Sequence, residues 1–168
     1  MRQRPLHASS PVPEPAHSIR ISIARQRLQV LAAGGAVLHD LPCSTGAAGT
    51  GTEEGSGKTP TGCFCICTKH GENAPLGAIF KARIPTGTWS PACQEQDAIL
   101  ARILCLHGLE PHNANTRARF IYIHGTADTA RLGTPVSHGC IRLAPADIAR
   151  IFPLCPIGMK VEIEEIDN

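Results

Sequence analysis

In SIRISIA, residues 18–24, Ile19, Ile21 and Ile23 alternate with polar neighbours, the period-2 pattern of a strand with one buried face. RLQVLAA and AVLHDLPC follow on either side of Gly34-Gly35, a dipeptide suited to a hairpin turn, so three short strands open the domain. CFCIC (63–67), AIFKARI (78–84), RFIYIH (119–124) and MKVEIEEI (159–166) read as further strands. Helical spacing is scarce. PADIARIF, residues 145–152, places Ile148, Ile151 and Phe152 on one helical face, with Pro145 suited to the first turn. A second short helix is predicted over Asp97 to Leu104. Many short strands separated by turn signals predict a mainly β fold, a β-sandwich or barrel with one or two short helices.

Composition sets the size and excludes some partners. The 168 residues suit one domain, 42% hydrophobic content is ordinary for a globular chain, and 18% charged residues argue against general disorder. Residues 1–17 are rich in Pro and Ser and read as an N-terminal arm ahead of a domain over 18–168. A net charge of +2 with scattered basic residues and only 4% aromatics lacks the basic face and stacking platforms of a nucleic-acid binder. The first eighteen residues carry no apolar run of a secretory signal, and no segment is long enough to span a membrane. Eight cysteines without miniprotein density fit a reduced protein, and on these grounds alone a cytoplasmic monomer is expected.

Two further stretches invite a chemical reading. In STGAAGTGTEEGSGKTPTG, residues 44–62, a P-loop would need glycine at 52 and a dinucleotide fingerprint would need it at 54, but Thr52 and Glu54 stand there. The stretch is expected to be a mobile or substrate-covering loop. In CFCIC, side chains two apart on a strand leave Cα atoms about 6.5 to 7 Å apart. Two thiolates on one zinc must come within about 4 Å of each other. Cys63, Cys65 and Cys67 are therefore expected as small core side chains on one face. Zinc binding with His70 is the alternative.

SHGCIRL, residues 137–143, differs from both. A cysteine is a useful nucleophile as its thiolate, which needs a base within reach or a nearby cation. His124 ends the RFIYIH strand on the face of Tyr122, and 140 − 124 = 16 residues are enough to bring Cys140 back beside it. His138 competes for the role of base or holds the site. Gly139 permits close backbone approach, and its N–H with that of Cys140 is a candidate oxyanion hole. Arg142 offers a planar fork for a substrate carboxylate, and Ser137 and the backbone after His124 are candidates to set the imidazole tautomer.

IYIHGT, the 16-residue spacing and SHGCIRL followed by a short helix resemble the active-site signature of the L,D-transpeptidase catalytic domain, the YkuD-type family. STG (44–46), KTPTGCF (58–64) and RILCLHGLEPHNAN (102–115) resemble its short proteobacterial-type members, so the likeness runs over about residues 18–166. The resemblance implies a β-sandwich cysteine enzyme without cofactor or metal, acting on peptidoglycan stem peptides or muropeptides. It implies Cys140 as nucleophile and His124 as base, with His138 and Gly139 in support. Arg142 is implied as binder of the D-centre carboxylate of diaminopimelate, with Ser137, Tyr122 and Gly125 completing the substrate site. In such enzymes the acyl-enzyme releases D-alanine and passes the acyl group to an amine. Capture by water instead would make an L,D-carboxypeptidase of muropeptide recycling, and a non-catalytic wall- or metal-binding module is the reading from another class. The family substrate implies the periplasm or cell envelope, against the cytoplasmic expectation from the N-terminal residues.

Overall fold

The computed structural model describes residues 15–93 and 97–166; most of the N-terminal arm lies outside them. The chain forms β1 (Ala16–Ser22), β2 (Arg27–Ala32), β3 (Val37–Pro42), β4 (Gly62–His70), β5 (Ala78–Lys81), β6 (Ile84–Thr88), β7 (Ile99–Gly108), β8 (Tyr122–Thr126), β9 (Ile141–Leu143) and β10 (Lys160–Glu164), with one helix, α1 (Pro145–Ile151). The mainly β architecture is the expected one. All ten strands join one sheet in the order β3-β2-β1-β10-β4-β7-β5-β6, with β8 on β7 and β9 on β8. Among the described residues no helix is long and apolar enough to cross a membrane.

The sheet curls back on itself, and a short bridge explains how. The segment leaving β3 pairs with β9 through Ser44 and Arg142, whose N–H groups each donate to the other's carbonyl at 3.0 and 2.9 Å. This brings the two ends of the strand path together around one apolar core. Ile19 and Ile21 of β1, Phe64 and Ile66 of β4, Ile123 of β8 and Ile148 and Ile151 of α1 are all buried in it. Helix α1 begins at Pro145, whose missing N–H costs nothing in the first turn, and lays Ile148 and Ile151 against β7 and β8.

Three elements differ from the sequence reading. The predicted helix over Asp97 to Leu104 is instead the start of β7, the hub of the sheet, which pairs with β4, β5 and β8. Apolar residues in ILARIL suit either periodicity, and three strand edges hydrogen-bonding to this segment decide the matter. AIFKARI is not one strand but a hairpin, in which Ala82 and Arg83, at φ of 47° and 67°, form a two-residue turn between β5 and β6. Left-handed backbone at two residues bearing Cβ atoms is costly, about 1 to 2 kcal/mol each.

The third difference concerns CFCIC, where Phe64 and Ile66 are fully buried and the three cysteines are only partly so. The thiols occupy the opposite face of β4 from the main core. Cys67 there packs against a second cluster of Ala78, Phe80, Ile103, Cys105 and Tyr122, against which Cys140 also packs. Among the described residues no three His, Cys, Asp or Glu side chains come together as a metal site. Phe64→Ala is expected to cost about 3 to 5 kcal/mol in chemical denaturation. Cys63→Ser should cost under about 1 kcal/mol, and the reverse order would put the thiols in the core.

Candidate active site

Cys140 ends a turn that enters β9, and the turn is fastened from within. Ser137 Oγ donates to the Cys140 carbonyl at 2.5 Å and accepts the Gly139 N–H at 3.1 Å. Gly139 has φ of +116°, and a Cβ there would lie 3.0 Å from the Lys58 carbonyl, so backbone conformation and close approach both demand glycine. The Gly139 N–H is thus occupied inside the turn, which removes it from the two-amide oxyanion hole anticipated from sequence. Gly139 instead lets the turn that carries Cys140 pass close to the Lys58 carbonyl.

The Cys140 thiol sits between two backbone groups of the segment leading into β8. Its Sγ accepts the Tyr122 N–H at 3.3 Å and donates to the Phe120 carbonyl at 3.4 Å. Burial raises the thiol pKa to about 11, although the Tyr122 N–H and the Arg142 charge both favour the thiolate. The resting sulfur is therefore protonated at neutral pH.

His124, on β8, is 3% exposed, and its Nδ1 lies 2.8 Å from the Gly125 carbonyl. A carbonyl only accepts, so Nδ1 carries the proton and Nε2 keeps its lone pair. Burial depresses the imidazole to about 4, with the Arg142 charge adding to the depression. Gly125 serves this arrangement rather than facing a ligand. It is buried, and a Cβ there would meet the Leu100 carbonyl at 2.5 Å and Ile148 at 3.3 Å.

Arg142 departs furthest from its expected role. Its register partner is His124, its side chain is 5% exposed, and its guanidinium is bonded to Asp97. The other Asp97 oxygen lies 2.8 Å from His138 Nδ1, and that imidazole projects into solvent at 83% exposure. Arg142 is thus turned to Asp97, because a buried guanidinium needs a carboxylate partner and Asp97 supplies it. Asp97 was hidden in the predicted helix and carried no motif of its own.

Other contributors were visible only as parts of longer runs. Thr59, fully buried, accepts the Gly46 N–H at 2.8 Å and donates to the Gly139 carbonyl at 2.9 Å. Gln26 brackets Thr45 by two side-chain bonds, while Thr45 and Ser137 pair through backbone. The glycine-rich stretch is tied down as well: Arg119 donates to the Gly51 and Lys58 carbonyls, and Asn115 to that of Thr52. It braces the turn that carries Cys140, and its glycines allow backbones to touch.

Beside the thiol a groove of about 600 Å³ opens, with Phe120 and Tyr122, the residues that hold Cys140 Sγ, in its lining. Tyr122 is itself buried, and its hydroxyl accepts a hydrogen bond from Arg83 at 3.1 Å. Cys105, Thr68, His70 and Arg117 also line this space.

The chain is similar to proteins with this architecture. Residues 16–163 match the YkuD model, described as the L,D-transpeptidase catalytic domain. A probable L,D-transpeptidase ErfK/SrfK of Salmonella typhimurium is 29% identical over 156 residues, covering 86% of this chain and 43% of the relative. A putative L,D-transpeptidase of Fuscovulum blasticum is 49% identical over 41 residues, covering 24% of this chain and 22% of its own length. The chain thus spans less than half the length of these curated relatives. In fold it resembles the crystal structure of an L,D-transpeptidase from Xylanimonas cellulosilytica, with a TM-score of 0.59 at 18% identity, covering 94% of this chain and 65% of that one. An L,D-transpeptidase from Mycobacterium smegmatis gives a TM-score of 0.58 at 18% identity, over 89% and 59% of the two chains. With the match spanning nearly the whole described chain, the protein belongs to the YkuD family of L,D-transpeptidase catalytic domains.

Proposed function

We propose that this domain is a cysteine acyltransferase of peptidoglycan tetrapeptide stems, with Cys140 as nucleophile and His124 as base. The observation that carries the reading is the placement of Cys140 Sγ beside a groove, next to a strand whose buried imidazole is locked in one tautomer. Cys140 attacks the carbonyl between the L-centre of diaminopimelate and the terminal D-alanine. Its proton passes to His124 Nε2 as the S–C bond forms. Collapse of the tetrahedral intermediate breaks the C–N bond, and the imidazolium returns the proton to the departing D-alanine amine. An acceptor amine then attacks the thioester, His124 takes its proton, and the thiol is restored.

The site's electrostatics decide the timing of the first proton transfer. A thiol near 11 and an imidazole near 4 both favour their neutral forms, so a thiolate–imidazolium pair is not populated in the empty site. The proton leaves sulfur only as attack proceeds. The Tyr122 N–H stabilises charge on the sulfur, and the Gly125 carbonyl stabilises the transient imidazolium through Nδ1. The Asp97 carboxylate favours that imidazolium from a distance and offsets part of the Arg142 charge.

Mass-spectrometric product analysis with a disaccharide-tetrapeptide ending in D-alanine, with and without an added D-amino acid, tests the assignment. Exchange products or crosslinked dimers are expected, falling by about 10³-fold or more in Cys140→Ala. Tripeptide alone would mean that water is the acceptor, and no product from folded protein would sink the substrate class.

The protonation states give a separate expectation. The rate of iodoacetamide alkylation at Cys140 should climb about tenfold per pH unit from pH 7 towards the thiol pKa of about 11. A plateau already at pH 7 would show a preformed thiolate and defeat the concerted transfer. Because burial lowers the imidazole, the acid limb of kcat/KM is expected near pH 4 rather than at the ordinary histidine value of 6.5.

A further inference from the structure

Two arginines that the reaction does not use face the groove beside Cys140. Arg83 sits at the tip of the β5–β6 hairpin and Arg117 in the turn that precedes β8. Both are exposed, and among the described residues neither guanidinium has a carboxylate partner. The groove lining contains no acidic side chain, while His70 and His107 add two further imidazoles. Both arginines favour the charged form of the Cys105 thiol on the groove wall, so their fields converge inside it.

Arg83 is held in a way that a merely solvated arginine does not require. Its Nη1 donates to the Tyr122 hydroxyl at 3.1 Å, and its guanidinium lies 5.8 Å from the centre of the Phe120 ring. The turn that presents it has left-handed backbone at both Ala82 and Arg83, a conformation disfavoured for residues bearing Cβ. Tyr122 and Phe120 are also the two residues whose backbone grips Cys140 Sγ. The guanidinium is therefore one side chain away from the reacting atom.

We propose that Arg83 and Arg117 are the carboxylate-reading pair of this site, and that the groove takes an anionic acyl-donor peptide by the free D-centre carboxylate of its diaminopimelate. The inference rests on the acyl-donor reading above and reassigns a task expected of Arg142, which is buried against Asp97 and does not line the groove. Arg83 supplies the planar fork, with Tyr122 fixing its direction, and Arg117 adds a second positive charge from the turn before β8. A donor amidated at that carboxyl would leave both guanidinium groups without an anion.

Kinetics with two tetrapeptide donors, one with the free diaminopimelate carboxyl and one with it amidated, tests the pair. The wild-type protein is expected to prefer the free acid by about tenfold or more in kcat/KM. Arg83→Gln and Arg117→Gln should each lose about tenfold on the free acid, chiefly through KM, and lose much less on the amidated donor, so that the preference for the free acid collapses. Arg83→Lys should recover only part of the preference, because an ammonium lacks the fork. Equal use of both donors by the wild type, or equal losses on both in the variants, would overturn the proposal. Both arginines are exposed, and thermal melts check that the variants remain folded.

Calorimetric titration of Cys140→Ala with the same two peptides separates the two readings. Carboxylate-dependent and Arg83-dependent binding without wild-type turnover would uphold the groove and remove the acyl-transfer function. Turnover with no carboxylate dependence of binding would do the opposite.

Discussion

The Thr59 hydroxyl is the bond on which the site depends. It is fully buried, accepts from the Gly46 N–H and donates to the Gly139 carbonyl, so one oxygen joins three segments far apart in sequence. A hydrogen bond of this kind contributes only about 1 kcal/mol net, but leaving either backbone group unpaired in a buried position would cost about 1 to 3 kcal/mol. The glycines around it follow from the same closeness. A Cβ on Gly46 would lie 2.6 Å from the Gly57 carbonyl, and one on Gly139 would press on Lys58. The turn that carries Cys140 is thereby set against a fixed backbone.

From that fixed turn the rest of the site is built by register. The bridge between Ser44 and Arg142 closes the curled sheet, and the parallel pairing of β9 with β8 puts Arg142 opposite His124. Closure also buries the His124 imidazole and half-buries Cys140. Desolvation keeps sulfur and imidazole neutral, whereas the Tyr122 N–H and the Gly125 carbonyl are aimed at Sγ and Nδ1, where charge would form in the proposed reaction. Polar groups fixed in this way need not reorganise when charge develops.

Apolar alternation made much of the sheet legible, because burial on one face leaves a period that tertiary context rarely reverses. Ile19 and Ile21, and the isoleucines of PADIARIF, are buried as their spacing requires. The failures share one cause. In CFCIC, every residue is compatible with burial, so period alone did not say which face was inside, and the larger Phe64 and Ile66 took the core. In the 97–104 stretch, helical and strand patterns fit equally until neighbouring edges chose the strand.

The sequence by itself determined the family and the candidate thiol and imidazole, because a thiol, a histidine and glycines at fixed spacing are chemistry written in residue type. Tertiary structure alone decided what each supporting residue touches. It tied Arg142 to Asp97, spent the Gly139 N–H inside its own turn, and turned Gly125 into the acceptor that holds the imidazole. It also placed Arg83 and Arg117 around one groove although they are far apart in the chain. Spacing encodes which residues are near along the backbone, whereas partner choice is settled by burial, since a desolvated charge or amide must take the nearest group able to satisfy it.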